Sequence, residues 1–292
     1  MDWLVAVDVS ESAEPLLTQA VAFAAAVGAT LHLRAVLEPV VPSPLAVGQE
    51  PVATGHWEAI RAEATRRLNA LAASIPEPMR GTAVVRVGDP ASVIVEQSGS
   101  HDLVVLGTHG RKGLERLFLG SVAERVVRLC ARDVLVLRHR ARPIALDRGL
   151  RVVAALDARD PSRAVAARLR ALATSELHVV NVLPSQAAMV TTGLLSAPAD
   201  APGAHPHYGW SRDHLQAFLA DEGLSVVPEL VLMQSGSAAD ELAAVAQALG
   251  ADLVVLDHHR RRGLDRLAFG STAERLVRVA PCAVWVVHPE ER

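Results

Sequence analysis

The sequence predicts an α/β protein built from two tandem, open, five-stranded parallel sheets. The pattern repeats after about 150 residues: HDLVVL at 101–106 returns as ADLVVL at 251–256, and GSVAERVVR at 120–128 returns as GSTAERLVR at 270–278. Within each copy, short apolar runs alternate with longer amphipathic ones, as in βαβ units. The apolar runs are continuous, which is typical of strands covered by helices on both faces.

The first copy contains strand and helix patterns in strict alternation. Its apolar runs predict strands at about 3–8, 30–36, 82–87, 102–107 and 133–138. The runs between them, with apolar residues at helical spacing, predict helices near 13–27, 56–74, 90–99 and 121–131.

The second copy repeats this order. We predict its strands near 151–157, 175–182, 225–232, 252–257 and 283–288, and its helices near 161–173, 210–222, 238–249 and 271–280. The predicted domains are therefore residues 1–140 and 150–292, joined by a linker at 141–149.

Composition excludes several classes of protein. Half of the 292 residues are hydrophobic but only 3% are aromatic, and the formal net charge is −3. These values give no reason to expect nucleic acid or an anionic membrane as a partner. The first residues lack the features of a secretory signal, the longest apolar run is too short to span a bilayer, and the two cysteines occupy non-equivalent places. We expect a reduced, cytoplasmic protein with no metal site.

A glycine loop follows the fourth predicted strand. Gly107, Gly110 and Gly113 lie in it, and the next helix begins at about Gly120–Ser121. Glycines allow backbone N–H groups to approach an anion, and a helix N-terminus adds positive potential. The loop therefore suits phosphate, although glycines after a buried strand can also serve only to make a turn.

Asp8 ends the first strand, in LVAVDVS. In an open parallel sheet, ligands lie beyond the carboxyl ends of the strands, where the winding reverses. A carboxylate there would repel phosphate and suits a hydrogen bond from ribose or adenine. If the first and fourth strands flank that point, Asp8 and the glycine loop face one crevice.

At these residues the chain resembles the universal stress protein family. The spacing G-x2-G-x9-G-[ST] is met by Gly107, Gly110, Gly120 and Ser121, and VGDP, DLVVLGTHGRKGL and GSVAERVV surround it. The resemblance covers essentially the whole chain as two domains. It implies a Rossmann-like fold, similar to that of the adenine nucleotide alpha hydrolases, with strand order 3-2-1-4-5 in each domain.

The resemblance also implies an ATP site in the first domain, with or without magnesium. By position, Asp8 would contact the adenosine moiety and Val36 the adenine. Gly107 and Gly110 would lie near the ribose and phosphates. The triphosphate would be held by Gly120, Ser121 and Val122.

The second copy departs from the glycine pattern. It carries Asp257 and Arg260 where the first has Gly107 and Gly110. A carboxylate repels phosphate and an arginine side chain fills ligand space, so we interpret this site as degenerate. The alternative is that the side chains of residues 258–262, HHRRR, capture an anion directly.

The fifth strands of the two copies, in VLVLRH at 134–139 and AVWVVH at 283–288, could pair within one chain. Such an intramolecular pseudo-dimer would cover two strand edges, and a homodimer stays open as a further possibility. The family implies that pairing because its nucleotide-binding branch usually places strand five at a dimer interface.

Three functional hypotheses stand at this point. The sequence lacks G-x4-G-K-[ST] and G-x-S-x-G motifs, so we expect binding with at most slow hydrolysis. The favoured hypothesis is an ATP-binding stress-response module that signals to an unidentified protein partner. The second is an ATPase or phosphotransferase that depends on His109 or Lys112. The third is a nucleotide-free interaction protein.

Overall fold

The computed structural model describes residues 1–10, 13–39, 54–108, 119–138, 149–172, 174–183, 206–232, 237–258 and 271–288. The chain forms two compact units, Met1–Arg140 and Ala141–Arg292. The predicted linker lies mostly outside the described residues, so its bounds stay a prediction.

The first unit is an open parallel sheet with helices between its strands. Its described strands are β1 (Asp2–Val7), β2 (Thr30–Leu37), β3 (Arg80–Val87), β4 (Leu103–Gly107) and β5 (Asp133–Leu137). Its helices are α1 (Ala13–Val27), α2 (Thr54–Ala73), α3 (Pro90–Ser98) and α4 (Ser121–Leu129), with a 3-10 turn at Glu77–Met79. The strand order is β3-β2-β1-β4-β5 and every pair is parallel, which confirms the predicted order 3-2-1-4-5.

The second unit repeats this architecture. Its described strands are β6 (Leu150–Ala155), β7 (Thr174–Leu183), β8 (Glu229–Leu232), β9 (Leu253–Asp257) and β10 (Ala283–Val287). Its helices are α5 (Arg163–Ala171), α6 (Pro206–Asp221), α7 (Ala238–Ala248) and α8 (Ser271–Val279). The order within the unit is β8-β7-β6-β9-β10, again with parallel pairs.

Burial explains why the continuous apolar runs became strands. All five residues of β5 and all five of β10 are buried. Helices lie on both faces of such a sheet, so neither face of these strands needs polar side chains. Large side chains such as Trp3, Phe23 and Trp285 are at most 1% exposed, and fully burying a side chain such as phenylalanine contributes roughly 1.5–3 kcal/mol.

The main departure from the predicted elements is β8. The prediction started this strand at 225, whereas it begins at Glu229. Pro228 explains the difference, because proline has no N–H to donate to a neighbouring strand. The 3-10 turn at Glu77–Met79 was not predicted either.

The winding of the first unit reverses between β1 and β4. The chain passes from β1 outward to β2 and β3, and then returns to the other side of β1 to place β4 and β5. Val5 pairs with Val105 in register. Asp8 and Thr108, each three residues further on, therefore reach the same level at the carboxyl edge of neighbouring strands.

Candidate functional site

Asp8 directly follows β1 and closes a tight turn. The Ser10 hydroxyl donates to Asp8 Oδ1 at 2.6 Å, and the Ser10 backbone N–H donates to the same oxygen at 3.2 Å. Between them, Val9 has a φ of 49°, which is strained for a β-branched residue. Strain of this kind is held at functional sites more often than elsewhere.

A pocket of about 430 Å³ opens beside this turn. Its wall comes from the turn, from the end of β2 and from one face of α2, and is mainly apolar. The lining residues are Val9, Ser10, Leu37, Ala59, Ile60, Glu63, Ala64 and Arg67. The polar part of the α2 face is an ion pair in which Arg67 Nε donates to Glu63 Oε1 at 2.5 Å. An apolar pocket of this size with few polar groups is typical of a small-molecule site.

The N-terminus of α4 lies at the end of β4. Gly120 is the N-cap residue, it has extended backbone angles, and as a glycine it has no side chain with which to cap the helix. The Gly120 N–H donates to Thr108 O at 2.8 Å, and a Cβ at Gly120 would lie 3.3 Å from that oxygen. N–H groups in the first turn of a helix have no acceptor within the helix, so they suit water or an anion.

The predicted site residues of the first unit fall mostly along this edge. Gly107 is the last residue of β4, Ser121 is exposed and Val122 half-buried at the start of α4. Val36 lies one residue before Leu37 on β2, so its side chain points to the opposite sheet face from the pocket-lining Leu37. Gly110 lies outside the described residues, as do His109 and Lys112.

The VGDP motif connects α3 to α4. Gly88 has a φ of 149° that favours glycine, and Asp89 caps α3 by accepting from the Ser92 N–H at 3.0 Å. Arg125 of α4 then donates to both Asp89 carboxylate oxygens, at 2.7 and 2.9 Å. The hydrogen bonds from Arg125, followed by those from Ser92, hold the pKa of Asp89 well below its ordinary value. From the sequence, this motif served only to support the family resemblance, and the contact of its aspartate with α4 was not predicted.

The equivalent edge of the second unit differs at its aspartate. Asp157 lies two residues beyond the end of β6, in the place that Asp8 holds directly after β1. The Arg159 N–H donates to Asp157 Oδ1 at 3.0 Å. The Arg159 side chain also turns back, with Nε donating to Oδ1 at 3.1 Å and Nη2 to Oδ2 at 2.9 Å. These hydrogen bonds raise the pKa of Arg159.

The end of β9 also differs from the end of β4. Asp257 is half-buried in the place of Gly107. His258 is buried and stacks on His288, with ring centroids 4.3 Å apart and an interplanar angle of 22°. The other residues of the alternative anion site, 259–262, lie outside the described residues, and Arg260 is among them.

Two further properties hold for the described part of the chain. No group of three or more His, Cys, Asp or Glu side chains there could hold a metal ion. None of the helices described is both long enough and apolar enough to cross a bilayer.

Together, the repeated open sheets and their strand order define a tandem α/β protein with two Rossmann-like units. The model of the universal stress protein family matches residues 3–138 and again residues 150–288. The chain therefore belongs to the universal stress protein family, as a member with two tandem domains, which confirms the resemblance seen in the sequence.

Individual relatives agree with this assignment. A universal stress protein of Synechocystis sp. is 32% identical over 150 residues, which span 47% of this chain and 96% of that protein. The universal stress protein A homolog 1 of Coxiella burnetii is 31% identical over 137 residues, or 45% and 92% of the two chains. A universal stress protein of Methanocaldococcus jannaschii is 51% identical over 53 residues, 18% of this chain and 31% of that protein.

The fold is shared along the whole chain with a solved structure. The crystal structure of a universal stress protein from Archaeoglobus fulgidus aligns with a TM-score of 0.64 at 17% identity. The alignment covers 98% of this chain and 97% of the other. At this identity the likeness concerns the fold.

Proposed function

We propose that the first unit binds ATP, and that the protein is a nucleotide-dependent regulatory module of the stress response. One observation carries the proposal: Asp8 and the Gly120-led N-terminus of α4 flank the switch point of the first sheet. The register of β1 with β4 brings them to the same edge. Membership of the universal stress protein family supports the same choice of ligand.

The charges at the two ends of the site favour one orientation of the nucleotide. The α4 N-terminus offers backbone N–H groups, the dipole of the helix and the exposed Ser121 hydroxyl, all of which favour phosphate oxygens. The Asp8 carboxylate accepts hydrogen bonds and repels phosphate, so it suits the hydroxyl groups of the ribose. Magnesium would accompany the triphosphate as its counter-ion.

The pocket beside Asp8 suits a purine ring. Leu37, Ile60 and Ala64 provide apolar surface, and the pocket starts at Val9 and Ser10, next to the carboxylate. A base placed there keeps its ribose at Asp8 and sends its phosphates towards α4. Asp8, Gly107, Gly120, Ser121 and Val122 would then belong to one ligand, and we expect Gly110 there too, whereas the Val36 side chain points to the other face of the sheet.

We infer binding with at most slow hydrolysis, and only in the first unit. Asp257 replaces Gly107 in the second unit, where its carboxylate would oppose phosphate. Arg260 replaces Gly110, and its side chain would fill ligand space. The second unit would then serve as a folded partner for the first. The pairing of β5 with β10 in an intramolecular pseudo-dimer stays a prediction, and so does the formation of a homodimer.

Titration calorimetry on the full, nucleotide-stripped chain tests this proposal. We expect ATP with magnesium to bind, and Ile60→Trp, which fills the pocket, to weaken ATP binding by about tenfold or more. Arg61→Trp is the matched control, because Arg61 is exposed and lies outside the pocket. Absence of any ATP binding would contradict the proposal and favour the nucleotide-free interaction protein. Equal effects of the two variants would contradict the placement of the base.

A further inference from the structure

The edge strand of the first unit offers a long, open pairing surface. In the sheet that the structure describes, β3 pairs with β2 and forms the outer edge of this unit. It runs over Arg80–Val87 and contains no proline. Proteins commonly keep exposed edge strands short or place proline in them, because unpaired backbone groups recruit other strands. The edge strand of the second unit follows this rule, since β8 begins directly after Pro228.

Backbone groups near the end of β3 point away from the sheet. The Gly88 N–H donates to Leu37 O on β2 at 3.0 Å. Because the backbone groups of successive residues in a strand point alternately to its two sides, those of Val85 and Val87 are directed outward. Val87 is 44% exposed, and Arg86 beside it is also exposed. This stretch therefore presents donors and acceptors that suit an added strand.

The two faces of β3 differ in chemistry. Residues 83, 85 and 87 are apolar and share one face. The opposite face carries Arg86 and, on β2, Arg34, because Arg86 pairs in register with Val36, two residues beyond Arg34. Burial, and then the charge of Arg86, lower the pKa of Arg34, which agrees with this proximity. A strand added at this edge would place its side chains alternately beside an apolar face and a cationic one.

Within the described part of the chain, no carboxylate neutralises these two arginines. Neutral acceptors hold the Arg34 guanidinium: Nε donates to Gln97 Oε1 at 2.7 Å, and Nη1 donates to Leu33 O at 3.0 Å and to Thr82 Oγ1 at 3.1 Å. These contacts fix the guanidinium and leave its Nη2 group for a further acceptor. Arg86 forms no ion pair with any described residue. The pair therefore suits an added carboxylate.

The second unit has neither arginine at its own edge. Val180 and Val231 occupy the register positions of Arg34 and Arg86, and Glu229 brings a carboxylate beside Val180. A second copy of β3 is a poor occupant of the first edge, because pairing two such strands would bring arginines together, and facing like charges are destabilising. The charge favours an acidic partner.

We propose that the edge of β3 binds an extended segment of a partner protein in which acidic and apolar side chains alternate. The backbone of that segment would pair with the outward groups of Val85 and Val87. Its carboxylates would meet Arg34 and Arg86, and its apolar side chains would extend the apolar face. The inference gives the unidentified protein partner a chemistry, and it does not depend on nucleotide binding.

Fluorescence anisotropy with labelled acetyl-VEVEVEV-amide tests the inference on the full, nucleotide-stripped chain. We expect saturable binding that Arg86→Glu weakens by about tenfold or more, because an attractive contact becomes repulsive. The matched control is Arg212→Glu, the same charge change at an exposed arginine of the second unit, which should alter the affinity by less than about twofold. The peptide acetyl-VKVKVKV-amide should bind at least about tenfold more weakly than the acidic one.

Val87→Pro tests the backbone contact. Proline removes an outward N–H, while the hydrogen bond from Gly88 to β2 stays in place. We expect it to weaken acidic-peptide binding by about fivefold or more, and Val87→Ile to bind like the unaltered chain. Circular dichroism and the thermal midpoint check that each variant folds. Hydrogen exchange of the unaltered chain gives a second measurement, because the acidic peptide should slow exchange of the Val85 and Val87 amides by about tenfold or more.

The outcomes are separable. Absence of acidic-peptide binding, or equal binding of the lysine peptide, overturns the inference. Equal affinities of Arg86→Glu and Arg212→Glu show that the peptide binds elsewhere. If acetyl-VVEEEVV-amide binds as tightly as the alternating peptide and the Val85 and Val87 amides exchange at unchanged rates, the edge attracts anions without adding a strand, and the inference is wrong. None of these measurements contains ATP, so their failure leaves the proposed nucleotide site untouched.

Discussion

The two units keep one pair of contacts and change another. In the first unit Asp89 caps α3, Ser92 lies three residues later, and Arg125 of α4 contacts the aspartate. In the second unit the serine and the aspartate have exchanged places: Ser237 caps α7 and Asp240 lies three residues later, yet the arginine of α8 still reaches the aspartate.

In that second arrangement, Asp240 and Ser237 form a reciprocal capping box, and Arg275 Nε donates to Asp240 Oδ1 at 2.9 Å. The hydrogen bonds from Arg275 and then Ser237 lower the pKa of Asp240. The exchange thus preserves the helix cap and the connection between helices. This contact therefore serves the fold, because either order of the serine and the aspartate accepts hydrogen bonds from the helix N-terminus and from the arginine.

The strand-one turns changed without any such compensation. Arg159 stands in the place of Ser10 and pairs with the carboxylate of Asp157. At the end of the fourth strand, Asp257 stands in the place of Gly107. The backbone hydrogen bond of the turn is present in both units, whereas the φ of 49° at Val9 has no counterpart at Ala158. The comparison therefore separates residues that build the domain from residues that we assign to the ligand.

The largest expected effect comes from Gly110→Arg, which copies the second unit. The arginine side chain should occupy phosphate space and weaken ATP binding by at least about 100-fold, with the fold unchanged. Titration calorimetry measures the loss, and Arg260→Gly in the second unit is the control, for which we expect no change. Undiminished affinity in Gly110→Arg would remove the glycine loop from the site.

Asp8→Ala should have the next largest effect. We expect a loss of about tenfold in affinity for ATP and little loss for inorganic triphosphate, because the carboxylate serves the ribose and not the phosphates. Asp157→Ala, the equivalent change in the second unit, should leave ATP binding as it was. Equal losses for ATP and triphosphate in Asp8→Ala would contradict the assigned role.

The helix connection can be tested by rebuilding the exchange. Asp89→Ser removes the carboxylate that Arg125 contacts, and we expect the thermal midpoint to fall by about 2–5 °C. Adding Ser92→Asp recreates the order of the second unit and should recover most of that loss in a thermal melt. A double variant no more stable than Asp89→Ser would show that the two arrangements are not interchangeable.

The smallest effect concerns His178, which contacts two carboxylates. Its Nδ1 lies 2.7 Å from Glu229 Oε1 and its Nε2 lies 3.0 Å from Glu176 Oε1. Burial alone would lower the pKa of His178, but the hydrogen bonds to these glutamates outweigh it and raise the pKa. In the first unit, by contrast, Nδ1 of the equivalent His32 accepts from the Thr82 N–H at 3.2 Å.

The sign of the pH dependence follows from the raised pKa. Because the pKa of His178 is higher in the folded state, its protonation stabilises the folded state fully at pH values below the unfolded histidine pKa of about 6.5. This contribution is lost as the pH rises through the folded pKa. His178→Gln should therefore lower the thermal midpoint by about 1–3 °C near pH 5.5 and by less near pH 9. A larger loss at the higher pH would contradict the assignment, and His32→Gln provides the comparison.

Much of the fold could be predicted because the strands are continuous apolar runs. The run before Asp8 and the run before Gly107 are buried strands at nearly the predicted bounds. The start of β8 could not be placed from hydrophobicity. The apolar pattern begins before Pro228, but proline has no N–H to donate to a neighbouring strand.

The site was only partly accessible to sequence reasoning. Local motifs indicated Asp8, Gly107 and Gly120, because the end of a strand and the start of a helix favour particular residue types that are visible in the sequence. The α2 wall of the pocket could not be predicted, since only the tertiary fold brings Ile60 and Leu37 to the same pocket. The contact of Arg159 with Asp157 also depends on a side chain folding back over its own turn, although the D-x-R spacing could have suggested it.

The central claim is that one unit of the two binds nucleotide, and counting nucleotides tests it most directly. Freshly purified protein would be denatured, and the released adenine nucleotides would be quantified by chromatography and confirmed by titration with ATP and magnesium. We predict about one site per chain in the unaltered protein and none in Gly110→Arg. Two sites per chain, or one site that survives in Gly110→Arg, would contradict the account.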